Sequence, residues 1–552
     1  MKSGGNLFVI YFWQEYMKFI SSFLNDKRVT VGCLTLAILC KLALMFYFFQ
    51  FQGDKMHQAL AAKSFINGEG ISLATVSGDN LSVVKHKPLT AWPPGYSLLL
   101  APIYIITKDL KLSTLVVDVI VAIGFFLIFF FLLKKLRLTN PFIILILLFN
   151  SVFLSQDIFY SSPTDLLSIS FILLAIYYVL LLNEKKSPAL YEGFFLGVFC
   201  FLPALFKYLY LPIASVIPLI FLSYGWSRKN KNQIITGTIA LVTTWIQYLL
   251  ILFYLKSSHG YTGNNPTAGI ELNLNFEQLQ HIHPFIFSSI INLDFLAQQI
   301  SLLTGYHYEA IVSVFQFLNY PLLFGLLTFL ITMIWRQGFK IQSTQDLFIA
   351  TSLIISFSII LFLCFLSVIQ TFNFNWTYVQ EERYYKFIAI CLPVIFLYFL
   401  YVKQKTKPSL VRRVIQYGLV ILLSLETMHG FYFIGKNVLP SQKLQLMNFK
   451  INEPFLKEFI NEYKAKGMNV VITSPNIYFN AYAVYYEAQA LYNPGDINKP
   501  LFAETQTMLL AILDEDQLIN YKAFLEKKGV RKETKLKMTY FFSLQLEANA
   551  IN

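Results

Sequence analysis

The chain has 552 residues, 56% of them hydrophobic and only 14% charged, with a mean hydropathy of +0.55. That balance, with repeated apolar runs of bilayer length, excludes an ordinary soluble protein and predicts an α-helical polytopic membrane protein. The net charge of +13 does not indicate nucleic acid as a partner, because the basic residues collect in short segments between the apolar runs.

Residues 1–30 form a predicted cytoplasmic segment on the membrane surface: Phe12, Tyr16, Phe19 and Phe23 recur at near-helical spacing beside Lys18, Lys27 and Arg28. No cleavable signal is expected, since a basic pair follows the aromatic stretch and a small-residue site does not. The transmembrane module is placed at 31–435. Its first span runs over 31–50, and ten more fall near 115–133, 141–158, 163–182, 189–206, 209–225, 233–255, 311–334, 346–368, 384–402 and 411–434. Eleven spans result. Segment 94–107 is apolar enough to suggest a twelfth, but counting it inverts every later loop, so it is read as a helix in the outer interface. Short loops rich in Lys and Arg mark the cytoplasm. Those at 134–137, 184–186, 228–231, 336–340 and 403–413 hold 3, 2, 3, 2 and 5 basic residues. The N-terminus is therefore expected inside, with loops 51–114 and 256–310 and the tail outside.

The tail, 436–552, loses the apolar runs and is expected to be a small extracytoplasmic α/β domain. Helices are predicted over 455–466 and 516–528, and strands over 469–474, 508–514 and 537–546. It contains no phosphate-binding glycine loop, nucleophile elbow or Cys/His zinc spacing. The five cysteines, Cys33, Cys40, Cys200, Cys364 and Cys391, lie in or beside apolar runs and read as core residues.

The segment from Phe51 to Pro102 is the most informative. It leaves the first span through Gly53-Asp54, passes Gly68, Gly70 and the basic patch Lys85-His86-Lys87-Pro88, and returns at Trp92-Pro93-Pro94-Gly95-Tyr96. We read it as the mouth of an active site. The predicted topology gathers Asp54, Asp157, Asp165, Lys207, Glu381, Glu382 and Arg383 at the same leaflet, where an ionisable group beside an apolar span is a functional candidate by default. Plainer readings stand beside these. Asp165 also suits an ordinary helix cap, Lys207 a side chain snorkelling to the interface, and Trp92 and Tyr96 an interfacial aromatic belt. All seven histidines fall on the outer side, and Asp54 with His57 or His281 with His283 would be the metal candidates. Their scatter favours plain surface residues, and neither a metal nor another cofactor is expected.

The order of these motifs resembles the GT-C superfamily of polytopic glycosyltransferases that use polyprenyl-phosphate sugars, including protein O-mannosyltransferases and aminoarabinose transferases. The likeness runs over about residues 30–440. Asp54 after the first span and the run 92–102 carry it, with Asn67-Gly68, Lys87-Pro88, Tyr160 to Asp165, Leu205-Phe206-Lys207 and Glu382-Arg383-Tyr384 as weaker matches. Asp165 and Lys207 stand where glutamate and arginine are more usual. The resemblance implies an inverting single displacement at the extracytoplasmic face of the bacterial inner (plasma) membrane. Asp54 would be the general base. Lys87, Lys207, Arg383 and Tyr384 would bind the donor phosphate, and Asp165, Glu382, Trp92 and Tyr96 would support the acceptor or the loop. The donor would carry a hexose or a pentose, and the acceptor would be a lipid, a glycan or a protein. A secondary transporter and a lipid-linked glycan ligase or polymerase are the rival readings. Against the first, no broken-helix repeat divides the chain into halves; against the second, few arginines lie outside.

Overall fold

The computed structural model describes residues 26–48, 53–77, 80–90, 92–153, 163–185, 188–258, 273–274, 276–337, 343–370, 382–402, 409–440, 460–473, 490–493, 503–514, 532–536 and 539–546. In chain order, α1 (Lys27–Tyr47) and α2 (Gly53–Ile66) lead to a hairpin of β1 (Ser72–Ser77) and β2 (Val84–Pro88), then to α3 (Gly95–Thr107). The first half of the bundle follows: α4 (Leu110–Lys135), α5 (Asn140–Val152), α6 (Pro163–Glu184), α7 (Leu190–Phe206), a 3-10 turn at Tyr208–Tyr210, α8 (Leu211–Ser227) and α9 (Lys231–Ser258). After β3 (Asn273–Leu274) come short helices α10 (Phe285–Ser288) and α11 (Leu293–Thr304), then α12 (Tyr308–Gln337) and α13 (Thr344–Val368). Strand β4 (Ile369–Gln370), a 3-10 turn at Glu382–Tyr385, α14 (Lys386–Leu397) and α15 (Leu410–Phe433) complete the bundle. The tail supplies β5 (Asn469–Thr473), β6 (Ala490–Asn493), β7 (Thr507–Asp514), β8 (Lys532–Leu536) and β9 (Thr539–Leu546).

Eight of these helices, several with their flanking turns, are long and apolar enough to cross a membrane: α1, α4, α6, α8, α9, α13, α14 and α15. Each coincides with a predicted span. Helices α3, α5 and α7 are shorter, and α3 has only 13 residues, about 20 Å at 1.5 Å per residue, too short for the hydrocarbon core. Local chemistry sets several boundaries. The Asp109 carboxylate accepts from Leu112 N at 2.9 Å to start α4, and Lys134 and Lys135 close it where the dipole favours cations. Gly193 and Gly197, four apart on α7, let α9 approach so closely that an added Cβ would stand 2.7 Å from the Thr236 and Ala240 carbonyls respectively. Close approach through small residues is how membrane helices gain contact without a hydrophobic driving force.

The antiparallel packing sorts charges to two ends. One end joins Lys135 to Glu184, Lys185 to Glu192, and the Gln345 side-chain amide to the Leu136 carbonyl at 3.3 Å. The other carries Asp165, Lys207 and Arg383 and is continuous with the loops that enter the sheets.

The tail strands do not stand alone. A seven-stranded sheet runs in the order β2-β1-β6-β5-β7-β9-β8, with β1 parallel to β6, so the hairpin of the first outer loop completes the sheet of the tail. The Ser82 hydroxyl accepts from Glu504 N and Thr505 N at 2.8 and 3.0 Å, and Asn80 donates to Glu504 at 2.8 Å. The three predicted tail strands are found, but β6, β8 and the borrowed hairpin were not anticipated. A second, two-stranded sheet pairs β3 with β4. The predicted surface segment lies outside the described residues except at its end, where α1 begins at Lys27, and the predicted helix 516–528 lies wholly outside them.

Candidate functional site

The bundle end is shaped by a sharp turn between α7 and α8. Lys207 closes α7 in an extended conformation, its N–H bonded to the Pro203 carbonyl, and the 3-10 turn then redirects the chain into α8. Pro203 has no N–H to continue the ladder, which suits a helix that must end within a turn. The Ser168 hydroxyl donates to the same Pro203 carbonyl at 3.0 Å, fixing α6 against this turn.

That arrangement brings Lys207 to Asp165, 42 residues earlier and in the first turn of α6. The Lys207 ammonium forms an ion pair with Asp165 Oδ1, and the carboxylate is wholly buried. The same ammonium lies 4.8 Å from the centre of the Tyr384 ring. Arg383 Nη2 donates to the Tyr384 hydroxyl at 3.0 Å, and the guanidinium sits 4.9 Å from that ring. Lys386 and Arg383 join Lys207 as the cations whose fields reach Asp165, and Lys41 of α1, buried like Lys386, lies within electrostatic range of Lys386. The turn bearing Arg383 is held from the second outer loop. Phe285 stacks on Tyr385 at 4.6 Å, and His283 faces the same ring at 6.0 Å. Burial lowers His283 to about 4, so it packs there as a neutral ring.

The Trp92 to Tyr96 run is built against the Lys207 turn. An added Cβ at Gly95 would stand 2.5 Å from the Leu205 carbonyl and 2.9 Å from the Phe206 ring, so only glycine allows this approach. Tyr208 donates its hydroxyl to the Trp92 carbonyl at 3.5 Å. Gly95→Ala is therefore expected to cost about 1–3 kcal/mol, because the opposing atom is backbone and cannot swing away. A melting curve of the detergent-solubilised variant that overlays the parent's would show that the contact is slack.

A second cluster anchors α2, whose second residue is Asp54. Lys55 Nζ forms a 2.5 Å ion pair with Asp118 of α4, with side chains 7% and 4% exposed, and Tyr96 Oη reaches the other carboxylate oxygen at 3.4 Å. Burial, and then the Asp118 charge, push the Tyr96 phenol well above its usual range, so it remains a donor. Trp92 stacks on His57 at 4.6 Å and 18°, and Ser97 donates to the Gln58 carbonyl at 2.8 Å.

The predicted residues thus divide. Asp165, Lys207, Arg383 and Tyr384 meet directly; Glu382 opens the turn that carries Arg383; Trp92 and Tyr96 bind α2 to the bundle. Tyr96 is fully buried, and its hydroxyl is directed to Asp118. Lys87 lies in β2 opposite Leu73, and no hydrogen bond, ion pair or ring contact among the described residues links it to the Lys207 cluster. Asp157 and Glu381 fall outside the described residues. Among the described residues no three His, Cys, Asp or Glu side chains form a metal-holding group. Sequence reading missed Lys41, Lys55, Asp118, Tyr210 and Lys386. A charged residue inside an apolar run is the signal that would have found Lys41 and Asp118.

Fold and site define an integral membrane protein with an α/β sheet at the end of its helical bundle. No family model and no curated protein matches the sequence. Among solved structures the chain is similar to ArnT from Cupriavidus metallidurans, bound to undecaprenyl phosphate, at 10% identity and a TM-score of 0.44, over 94% of this chain and 98% of that one. The apo state of that ArnT matches at 10% identity and a TM-score of 0.41, over 93% and 98%. The apo oligosaccharyltransferase of Archaeoglobus fulgidus matches at 12% identity and a TM-score of 0.43, over 91% of this chain and 71% of that one.

Proposed function

We propose that the protein is a membrane glycosyltransferase that moves a sugar from a polyprenyl-phosphate donor to an acceptor at the sheet-bearing face, which the basic-loop pattern assigns to the outside. The observation that carries this reading is the meeting of Lys207, Arg383, Tyr384 and Lys386 around the carboxylate of Asp165, beside the Trp92 to Tyr96 turn. Cations held at the edge of a bilayer suit a lipid phosphate whose tail stays in the membrane. Lys207 has three N–H donors and gives one to Asp165, so the others can reach phosphate oxygens, while Arg383 offers a planar fork.

In the reaction, the acceptor oxygen bonds to the anomeric carbon as the carbon–oxygen bond to phosphate breaks. The electron pair leaves with the polyprenyl phosphate, and the cations stabilise the charge that grows there. Asp54 takes the acceptor proton as attack proceeds. One displacement without a protein nucleophile inverts the anomeric centre. The acceptor class, whether lipid, glycan or protein, is the part of this proposal that the same assay would name.

Reconstituted protein offered a panel of radiolabelled polyprenyl-phosphate sugars is expected to transfer label from at least one. Arg383→Lys, which keeps the charge and loses the fork, is expected to raise the donor KM about tenfold or more, as for a charge-assisted bond of about 1.5–3 kcal/mol. A parent protein that transfers nothing from the whole panel would overturn the reading.

A further inference from the structure

The ion pair at the centre of the site leaves two buried polar atoms unanswered. Asp165 is 0% exposed and Lys207 engages Oδ1; among the described residues Oδ2 has no hydrogen-bond partner. Tyr210, three residues beyond Lys207 on the redirecting turn, is also 0% exposed, and its hydroxyl has no partner among the described residues either. The two belong to the same neighbourhood, since the Tyr210 N–H bonds to the Lys207 carbonyl at 3.0 Å and the Lys207 ammonium pairs with Asp165, whose charge acts on the Tyr210 phenol. Buried polar atoms are nearly always paired, so two orphans beside a cationic cluster mark a place that something polar fills.

Their chemistry restricts the occupant. Oδ2 is an acceptor and requires a donor, while a phenol both donates and accepts. An ammonium or a metal ion is disfavoured, because the fields of Lys207, Arg383 and Lys386 already reach the Asp165 carboxylate. A second phosphate would face Oδ2 with like charge. A neutral hydroxyl satisfies both atoms.

We infer that Asp165 Oδ2 and Tyr210 Oη form a subsite for a hydroxyl of the donor sugar, and that the transferred sugar presents a hydroxyl there and not an amine. This deepens the glycosyltransferase proposal and rests on it. Lys207 then joins the two halves of the donor, with its ammonium shared between the phosphate and the carboxylate that reads the sugar.

The test compares the parent with Tyr210→Phe, which removes one oxygen and keeps the ring. Three probes are used: bare undecaprenyl phosphate, a donor bearing a neutral hexose or pentose, and a donor bearing an amino sugar. The parent is expected to favour the neutral-sugar donor. Tyr210→Phe is expected to raise its KM about tenfold, with affinity for bare undecaprenyl phosphate unchanged, which also shows that the variant is folded. The subsite alone is overturned if undecaprenyl phosphate binds and the variant's KM equals the parent's, or if the amino-sugar donor is preferred. If the parent binds neither donor nor bare lipid phosphate, the glycosyltransferase reading falls and the subsite falls with it.

Discussion

Asp54→Asn is expected to lower kcat for sugar transfer by about 10²–10⁴ while changing donor affinity by no more than about twofold. Asparagine has nearly the same shape and cannot take a proton, so the variant separates the proposed role as base from the scaffold. The scaffold should survive, because α2 is held through Lys55, His57 and Gln58, none of which the substitution touches. Initial rates at saturating donor and matched protein amounts make the measurement. A variant that transfers at the parental rate would remove Asp54 from the chemistry and leave the Lys207 cluster without a proposed base.

The largest expected loss of stability comes from Lys55→Met. Asp118 would be left buried with the Tyr96 hydroxyl but without its 2.5 Å ammonium partner. Breaking a buried pair from one side costs about 3–5 kcal/mol, because an uncompensated charge remains. The accompanying double variant, Lys55→Met with Asp118→Leu, is expected to regain most of that loss, since removing both charges removes the desolvation penalty as well. Thermal unfolding in detergent distinguishes the two. Equal melting of parent and single variant would mean that the ammonium contributes nothing to holding α2. Because Lys55 follows Asp54 directly, slack at this pair should also reach the site: the double variant is expected to be nearly as stable as the parent yet slower.

The spans were legible because the bilayer imposes a composition on every helix that crosses it; α1, α4, α6, α8, α9, α13, α14 and α15 all fall on predicted apolar runs. Asp165, Lys207, Arg383 and Tyr384 were legible as a group because alternation of spans alone sends them to the same end. What each does there was not legible. The pairing of Lys207 with Asp165 depends on how a turn closes, and the role of Gly95 depends on a carbonyl 110 residues away. Asp118 and Lys41 carried a readable signal that attention to the loop ends passed over. The seven-stranded sheet was the least readable element, because β6 has only four residues and its partner β1 lies in a different loop. Pairing over such separations leaves no local pattern.

Strand pairing also counts crossings. Two segments that bond to each other outside the bilayer occupy the same compartment, so the chain between them crosses an even number of times. Strands β3 and β4 pair across α12 and α13, so if α13 crosses, α12 must cross as well; its 30 residues span about 45 Å. The Lys135–Glu184 pair places the same condition on α5 with α6, and the Lys207–Asp165 pair on α6 with α7. Strands β1 and β6 pair as well, so the chain between them also crosses an even number of times. The first loop and the tail therefore share one compartment, whichever way up the protein sits in its membrane.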